Sequence, residues 1–300
     1  MNNDVFLPEI KISVPVAGGD LAVYRYGPAG TKPVLLIHGI TSSNRAWQVM
    51  AKGLIERGLT PFAVDLRGRG DSSKLPSPFG QAAHVKDLLA VMDYLGFSSM
   101  DVIGHSSGAF VGVALLGIAP ERVGRLVLID GGIQFPLPEG VTIEQVLAYV
   151  LGPAFARLAA TFESKAAYRD YWRSQPAFIK GWSSSLDEYV DYDLRGEAPI
   201  MKSSVNPQCV EDDTSENFRA FDLNQKTLKN LTDEVLLIRA ERGLQNEETA
   251  LYPLPILTAE LTKFPKVRLE TVADTNHYDL VVDSYGAEKC VQLIYGGGKS

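Results

Sequence analysis

Short apolar runs alternate with amphipathic stretches along the first 130 residues of the chain. Four of these runs have the length and composition of buried parallel strands: 33–39, 60–68, 100–104 and 125–130. The stretches between them have helical spacing of apolar positions: 47–58, 81–96 and 107–120. Before them, segments 9–15 and 20–27 alternate apolar and polar positions, which predicts a β-hairpin. The pattern therefore predicts an α/β fold with a mostly parallel central sheet and helices on both of its faces.

The alternation stops after about Phe135, and no apolar run up to Phe221 predicts a buried strand. Helix signals take over: Thr142 and Gln145 have the spacing of a capping box, and Ser164 is a candidate N-cap for the next helix. Aromatic side chains are frequent in this segment: Phe155, Phe162, Tyr168, Tyr171, Trp172, Phe178, Trp182, Tyr189 and Tyr192. We expect them to form the core of the segment and part of an apolar pocket.

Strand-like runs return near the end of the chain. They lie at 234–240 and 267–274, and a last helix is predicted at 288–296. We therefore predict one α/β core made of residues 1–134 and 222–300. A helical cap, residues 135–221, is predicted to be inserted into that core.

The pentapeptide GHSSG, residues 104–108, lies between a predicted strand and a predicted helix. This is the G-x-S-x-G arrangement of a nucleophile elbow, in which the chain turns so tightly that only small residues fit on either side of the serine. Such a turn exposes the hydroxyl of Ser106 above the sheet, and the helix that follows directs its positive N-terminal end at the same point. The motif predicts that Ser106 is a nucleophile.

A serine hydroxyl needs a base to become nucleophilic, and the chain has four histidines. Three of them are expected to have other roles. His105 lies within the elbow, His38 follows the first parallel strand, and His84 lies on an amphipathic helix. The fourth, His277, follows the last predicted strand. Since open α/β sheets carry their chemistry at the carboxyl ends of the strands, we assign His277 as the base.

With these residues in place, the chain resembles the α/β-hydrolases. LLIHGITSS (35–43) is similar to the oxyanion-hole turn of that family, DLRGRGDSS (65–73) to its next loop, and NHY (276–278) to its catalytic-histidine loop. The likeness covers roughly residues 20–132 and 232–295 and stops at the inserted segment. It implies that the backbone N–H groups of Ile40 and Ser107 form the oxyanion hole.

The acid of the implied triad has two candidates. In the family the acid usually follows the strand that resumes after the cap, but there the sequence reads VLLIRAERGL, and Gly243 stands at the expected position. Asp130 ends the strand that follows the elbow, where some family members carry their acid. Glu241 lies two residues before Gly243 and has a longer side chain. We favour Asp130 and keep Glu241 as the alternative, whereas Asp274 is expected to shape the histidine loop.

The resemblance implies a serine esterase that acts on a small or medium-sized, fairly apolar ester or lactone. The same residues also serve thioesterases, amidases and carbon–carbon bond hydrolases, so these activities remain open. A ligand-binding protein that keeps the fold without turnover is the alternative of another class. The chemistry needs no metal and no cofactor, and the chain has neither an H-E-x-x-H motif nor a phosphate-binding G-x-x-x-x-G-K-[ST] loop.

The composition narrows the range of partners. The 300 residues carry a net charge of −7 without clusters of lysine or arginine, which argues against nucleic acid or an anionic membrane as partner. No apolar run is long enough to span a membrane, and no signal peptide is recognisable. Cys209 and Cys290 are far apart in the chain, and we predict that both are free thiols. We expect a cytoplasmic protein with a small-molecule ester-like substrate; the sequence leaves open whether it forms a homodimer.

Overall fold

A computed structural model of the chain describes residues 5–30, 32–135, 140, 142, 145, 152 and 154–296. The described residues form ten strands: β1 Ile10–Val16, β2 Gly19–Arg25, β3 Pro33–Ile37, β4 Thr60–Val64, β5 Met100–His105, β6 Val123–Ile129, β7 Leu194–Glu197, β8 Ile200–Ser203, β9 Val235–Ala240 and β10 Val267–Val272. Eight of them form one sheet in the order β1-β2-β4-β3-β5-β6-β9-β10. The predicted hairpin is confirmed: β1 pairs antiparallel with β2, and β2 pairs antiparallel with β4. The other neighbours in this sheet are parallel, so the predicted sheet is confirmed.

Helices cover both faces of the sheet. The longer described helices are α1 Gln48–Ile55, α2 Gln81–Leu95, α3 Ser107–Ile118, α4 Lys165–Arg173, α5 Ser184–Asp193, α6 Pro207–Arg219, α7 Phe221–Lys229, α8 Leu254–Leu261, α9 Asp279–Val282 and α10 Ser284–Tyr295. Successive residues of β3 enter different apolar clusters. Leu36 joins the cluster that contains Met50 of α1, whereas Leu35 joins the cluster that contains Leu88 of α2. The two-residue period of a strand thus explains why a continuous apolar run is needed here.

The segment between β6 and α7 contains α4, α5, the pair β7–β8 and α6. The N-cap role of Ser164 is confirmed, because its hydroxyl accepts a hydrogen bond from the N–H of Ala167. Thr142 and Gln145 exchange the two hydrogen bonds of a capping box, at 2.9 and 3.3 Å, while the helix predicted after them lies outside the described residues.

The two-stranded sheet β7–β8 was not predicted from the sequence. It is an antiparallel hairpin, and each strand has only four residues. Leu194 and Met201 are its two buried apolar residues, so the strands show no alternation long enough to recognise. Phe162 extends the pair through an isolated bridge to Met201.

The chain returns to the sheet at α7, which packs against α3. The contact is close: a Cβ on Gly117 of α3 would lie 2.3 Å from Oγ1 of Thr227 on α7. The last helix, α10, begins four residues earlier than predicted, because the Asp283 carboxylate accepts hydrogen bonds from the N–H groups of Tyr285 and Gly286. Both cysteines are free and buried. Within the described residues, no helix is long and apolar enough to cross a membrane.

Candidate active site

Ser106 forms the sharp turn between β5 and α3. Its backbone angles are φ 54° and ψ −122°, a strained conformation for a residue with a side chain. The flanking glycines are required by space. A Cβ on Gly104 would lie 2.4 Å from the carbonyl oxygen of Gly108, and a Cβ on Gly108 would lie 2.1 Å from that of Ile37. The elbow predicted from the sequence is thus explained by backbone crowding around the serine.

The loop after β3 lies against this elbow. A Cβ on Gly39 would lie 3.2 Å from the Cβ of Ser106, so the glycine allows the two turns to approach. We call residues 39–42 the oxyanion turn. The N–H groups of Ile40 and Ser107 have no hydrogen-bond partner among the described residues, which fits the role implied by the resemblance.

Asp130, at the carboxyl end of β6, contacts His277 directly. Its Oδ2 lies 2.7 Å from Nδ1 of His277, and both side chains are almost completely buried. The other carboxylate oxygen accepts the N–H of Ala240 at 3.1 Å, while the N–H of Asp130 donates to Ile238 at 2.7 Å. These contacts fix the carboxylate beside Nδ1, which leaves Nε2 of His277 as the atom available to accept a proton.

Glu241, the alternative acid, makes a different contact. Its Oε2 accepts the N–H of Asp274 at 2.7 Å, and Asp274 also pairs with Lys180 at 2.5 Å. Asp274 has a positive φ of 55° at the turn that leads into the histidine loop. The structure therefore brings Asp130 to His277, while Glu241 and Asp274 brace the loop from outside.

His105 contacts both the backbone and the ring of His277, a role that the sequence did not predict. Its Nε2 donates to the carbonyl oxygen of His277 at 3.0 Å, and the two ring centroids are 4.5 Å apart. Burial, together with the nearby His277, lowers the pKa of His105 well below its ordinary value. His105 is therefore neutral and donates a hydrogen bond to the histidine loop, which leaves His277 as the candidate base.

The histidine loop is also held from its own C-terminal side. The carboxylate of Asp279 accepts the N–H of Asn276 at 2.9 Å, and the amide of Asn276 donates to the carbonyl oxygen of Ala177 at 2.7 Å. Burial is the main reason why the pKa of Asp279 is raised from 3.8 to about 6. Because Ala177 lies in the segment between β6 and α7, that segment touches the loop that carries His277.

Ser106 and His277 line the same cavity. Its aromatic wall is formed by Tyr171, Trp172, Phe178, Tyr189 and Tyr278. The loop after β9, which carries the acid in most of the family, contributes Leu244, Gln245 and Leu251 to the lining. The hydroxyl of Ser106 has no hydrogen-bond partner within the described residues, and in ligand-free enzymes the bond from nucleophile to base is often long.

Arg157 is the one lining side chain, among those described, with a formal charge. It is neutralised in place, because its Nη1 pairs with Asp193 at 2.6 Å and also reaches the hydroxyl of Tyr168 at 2.7 Å. The cavity is therefore apolar and uncharged overall. The described residues contain no group of three or more histidine, cysteine, aspartate or glutamate side chains that could hold a metal ion.

Comparisons with known proteins identify the fold family. A family model described as the alpha/beta hydrolase fold matches residues 32–284, a region that includes Ser106, Asp130 and His277. The solved structure of the thioesterase domain from the curacin biosynthetic pathway superposes with a TM-score of 0.77. The superposition covers 95% of this chain and 98% of that chain at 18% identity, so it shows the fold alone.

Two curated relatives have higher sequence identity. Lipase LipV of Mycobacterium tuberculosis is 36% identical over 132 residues, which are 44% of this chain and 48% of the lipase. N-formylmaleamate deformylase of Pseudomonas putida is 28% identical over 212 residues, 64% of this chain and 77% of the deformylase. The chain thus spans about half the length of the lipase, and the two relatives carry different activities in their names.

Proposed function

Because this chain belongs to the α/β-hydrolase fold family, we propose that it is a serine hydrolase that cleaves a neutral, largely apolar carboxylic ester or lactone through an acyl-enzyme on Ser106. The observation that carries the proposal is the contact of 2.7 Å between Asp130 and Nδ1 of His277, at a cavity that Ser106 also lines. An isolated strained serine has a structural explanation, but a strained serine next to a buried carboxylate–imidazole pair has the composition of a catalytic triad.

In the proposed reaction, Oγ of Ser106 attacks the acyl carbon while Nε2 of His277 takes the hydroxyl proton. Asp130 stabilises the resulting imidazolium through Nδ1 and does not take the proton itself. The carbonyl oxygen becomes an oxyanion, which accepts the N–H groups of Ile40 and Ser107; one such donor contributes about 3 kcal/mol in the transition state. His277 then gives its proton to the leaving alkoxide, and water deacylates Ser106 with His277 again as base.

The apolar character of the cavity favours an ester as the substrate. Most of its exposed surface is apolar, and Arg157, the one charged residue among the described lining residues, is already paired, so the cavity offers an acyl group mainly hydrophobic contact. The relative named as a lipase is consistent with ester cleavage. The same triad would act on a thioester, an amide or an activated carbon–carbon bond, and these are outcomes of the test below.

The first test is the intact mass of the protein after treatment with a fluorophosphonate, followed by peptide mapping. We expect one adduct, on Ser106, and none in Ser106→Ala. A panel of p-nitrophenyl esters, thioesters and anilides then compares the bond classes, with esters expected to react fastest. A folded protein that takes up no adduct and cleaves none of these substrates would overturn the proposal in favour of a ligand-binding protein without turnover. An adduct on Ser106 together with faster cleavage of a thioester or anilide would keep the serine hydrolase and replace the ester.

A further inference from the structure

Three consecutive carbonyl groups of the oxyanion turn are held by buried side chains. Nδ1 of His38 lies 2.7 Å from the carbonyl oxygen of Gly39. Nε of Arg69 donates to the carbonyl oxygen of Ile40 at 2.8 Å, and Nη2 of Arg157 donates to that of Thr41 at 3.3 Å. Arg69 and Arg157 are 0% and 3% exposed, so solvent does not weaken these charge-assisted contacts.

Each arginine is paired with an aspartate from the segment between β6 and α7. Arg69 forms an ion pair with Asp213 of α6 at 2.5 Å, and Arg157 pairs with Asp193 at the end of α5 at 2.6 Å. Asp213 is fixed in turn, because it accepts the N–H of Gly80 at 2.6 Å. Burial alone would raise the pKa of Asp213, but the charge of Arg69, the contact with His84 at 3.0 Å and the N–H of Gly80 lower it well below its ordinary value, so the carboxylate stays charged.

Two buried ion pairs are an expensive way to stabilise a fold, because desolvation opposes the attraction between the charges. Their shared feature is geometric: each guanidinium has a donor directed at a carbonyl of the same turn. The N–H of Ile40 belongs to the peptide group whose oxygen is on Gly39, and a trans peptide keeps these two atoms on opposite sides. His38 holds the carbonyl before Ile40, and Arg69 and Arg157 hold the next two, so both peptide groups of Ile40 are fixed and with them the direction of its N–H.

We propose that Arg69 and Arg157 are positioning residues for the oxyanion hole. They hold the oxyanion turn through the carbonyls of Ile40 and Thr41, and the segment that supplies Asp193 and Asp213 is thereby part of the apparatus that stabilises the oxyanion. This inference rests on the proposed function. It differs from the usual view of an inserted segment as the wall of a substrate pocket, because it predicts that loosening the segment lowers kcat more than it raises KM.

The chain contains a matched control. Arg67 and Asp87 form another ion pair at 2.7 Å, with side-chain exposures of 2% and 3%. The guanidinium of Arg67 donates to the carbonyl oxygens of Pro76 and Ala17 and does not reach the oxyanion turn. Removing this pair takes away one buried arginine and one buried aspartate, as removing Arg69 with Asp213 does, without changing the contact to Ile40.

The experiment compares three double variants with the wild-type protein: Arg69→Met with Asp213→Asn, Arg157→Met with Asp193→Asn, and Arg67→Met with Asp87→Asn. Each is assayed on an oxygen ester and on the corresponding thionoester. A thiocarbonyl sulfur accepts hydrogen bonds poorly, so the rate ratio of ester to thionoester reports the oxyanion hole itself. Melting curves identify the variants that fold.

We expect the first two variants to lose about 10–100-fold in kcat on the ester, with KM changed less and the ester-to-thionoester ratio lowered. The control pair should keep the wild-type ratio. Equal losses in all three variants, with an unchanged ratio, would overturn the inference and leave the arginines with a structural role. Should Arg69→Met with Asp213→Asn fail to fold, Arg69→Lys is measured instead; it keeps the charge beside Asp213, and a wild-type ratio there would also overturn the inference.

Failure of the proposed function is distinguishable from failure of this inference. If the wild-type protein takes up no fluorophosphonate on Ser106 and cleaves no ester, the proposed function fails before any variant is compared. If the wild-type protein is active and only the ratio is insensitive to Arg69 and Arg157, the proposed function stands and the positioning role is withdrawn.

Discussion

Nδ1 of His277 lies 2.7 Å from Oδ2 of Asp130, although 147 residues separate the two in the chain. Asp130 directly follows β6, Ser106 follows the neighbouring strand β5, and His277 comes after β10, so the three side chains of the proposed triad lie at the carboxyl ends of strands in one half of the sheet. The position of the acid gives the most direct test of the proposed triad.

Asp130→Asn should lower kcat by about 10³–10⁴-fold with little change in KM. An asparagine amide beside Nδ1 no longer favours the tautomer with its proton on Nδ1 and no longer stabilises the imidazolium. Glu241→Gln is the comparison, since Glu241 contacts the N–H of Asp274 and not His277. Steady-state kinetics on one p-nitrophenyl ester checks both. A large loss in Glu241→Gln together with a small one in Asp130→Asn would assign the acid to Glu241.

Gly108→Ala should destabilise the protein although alanine usually favours a helix. The new Cβ would lie 2.1 Å from the carbonyl oxygen of Ile37, so the elbow or β3 must move. We expect a loss of about 1–3 kcal/mol or more in the free energy of unfolding, measured by urea denaturation.

The matched control for that glycine is Gly181→Ala. Gly181 has open space around its Cα, so the change should be neutral or slightly stabilising. Similar effects of the two substitutions would show that crowding at the elbow does not explain Gly108.

A neutral acyl chain should react faster than the same chain with a terminal carboxylate. Arg157 is already paired with Asp193, so an incoming carboxylate finds no free cation among the described lining residues. Burying it costs free energy. We expect p-nitrophenyl pentanoate to have a kcat/KM at least about tenfold above that of the p-nitrophenyl monoester of glutarate.

The variant Asp193→Asn tests the cause of this preference. It leaves the charge of Arg157 uncompensated, and the ratio of the two kcat/KM values should move toward the glutarate ester even if both values fall. An unchanged ratio would mean that Arg157 does not sense the charge of the acyl group.

The charge of Asp279 should make stability depend on pH between about 4 and 6. Burial raises the pKa of this carboxyl group from 3.8 to about 6, so the folded protein binds the proton more tightly than the unfolded chain does. The resulting stabilisation is complete below pH 3.8 and is lost as the pH rises through about 6.

Asp279→Asn should remove this part of the pH dependence, because an amide oxygen still accepts the N–H of Asn276 without carrying a charge. Urea denaturation of both proteins across this pH range measures the difference. Asp222→Asn, at an exposed carboxylate of α7, serves as the control. Parallel pH profiles for the wild-type protein and Asp279→Asn would refute the prediction.

Features that depend on neighbouring residues could be predicted from the sequence. The elbow is one: Gly104, Ser106 and Gly108 lie within five positions, so the motif is visible in one short stretch of sequence, although the crowding at Gly108 comes from the carbonyl oxygen of Ile37 in β3. The central parallel strands β3, β4 and β9 are another, because each is a mainly apolar run whose residues are almost all buried. Ser164 was recognisable as an N-cap for the same reason.

The sequence alone could not decide between Asp130 and Glu241 as the acid. It places both at the carboxyl ends of strands but does not give their distances from His277. Asp130 and Glu241 follow the neighbouring strands β6 and β9. Only the fold shows that the carboxylate of Asp130, at a residue with a positive φ of 44°, reaches Nδ1 of His277.

The contacts of Arg69 and Arg157 with the oxyanion turn could not be predicted, because the contacting residues are distant in the chain. Arg69 and Arg157 contact the oxyanion turn across 29 and 116 residues, and no periodicity connects positions so far apart. The hairpin β7–β8 was not predicted for a different reason. Its strands have only four residues each, too few to show the two-residue alternation of a strand.

The loop after β9 lines the cavity with Leu244, Gln245 and Leu251 while Asp130 occupies the place beside His277. In most of the family that loop must keep a catalytic carboxylate, which limits how far it can change. In the proposed triad Asp130 takes that role, so the loop after β9 is free of this constraint. Substitutions at these three positions should then change the substrate range without abolishing the proposed activity.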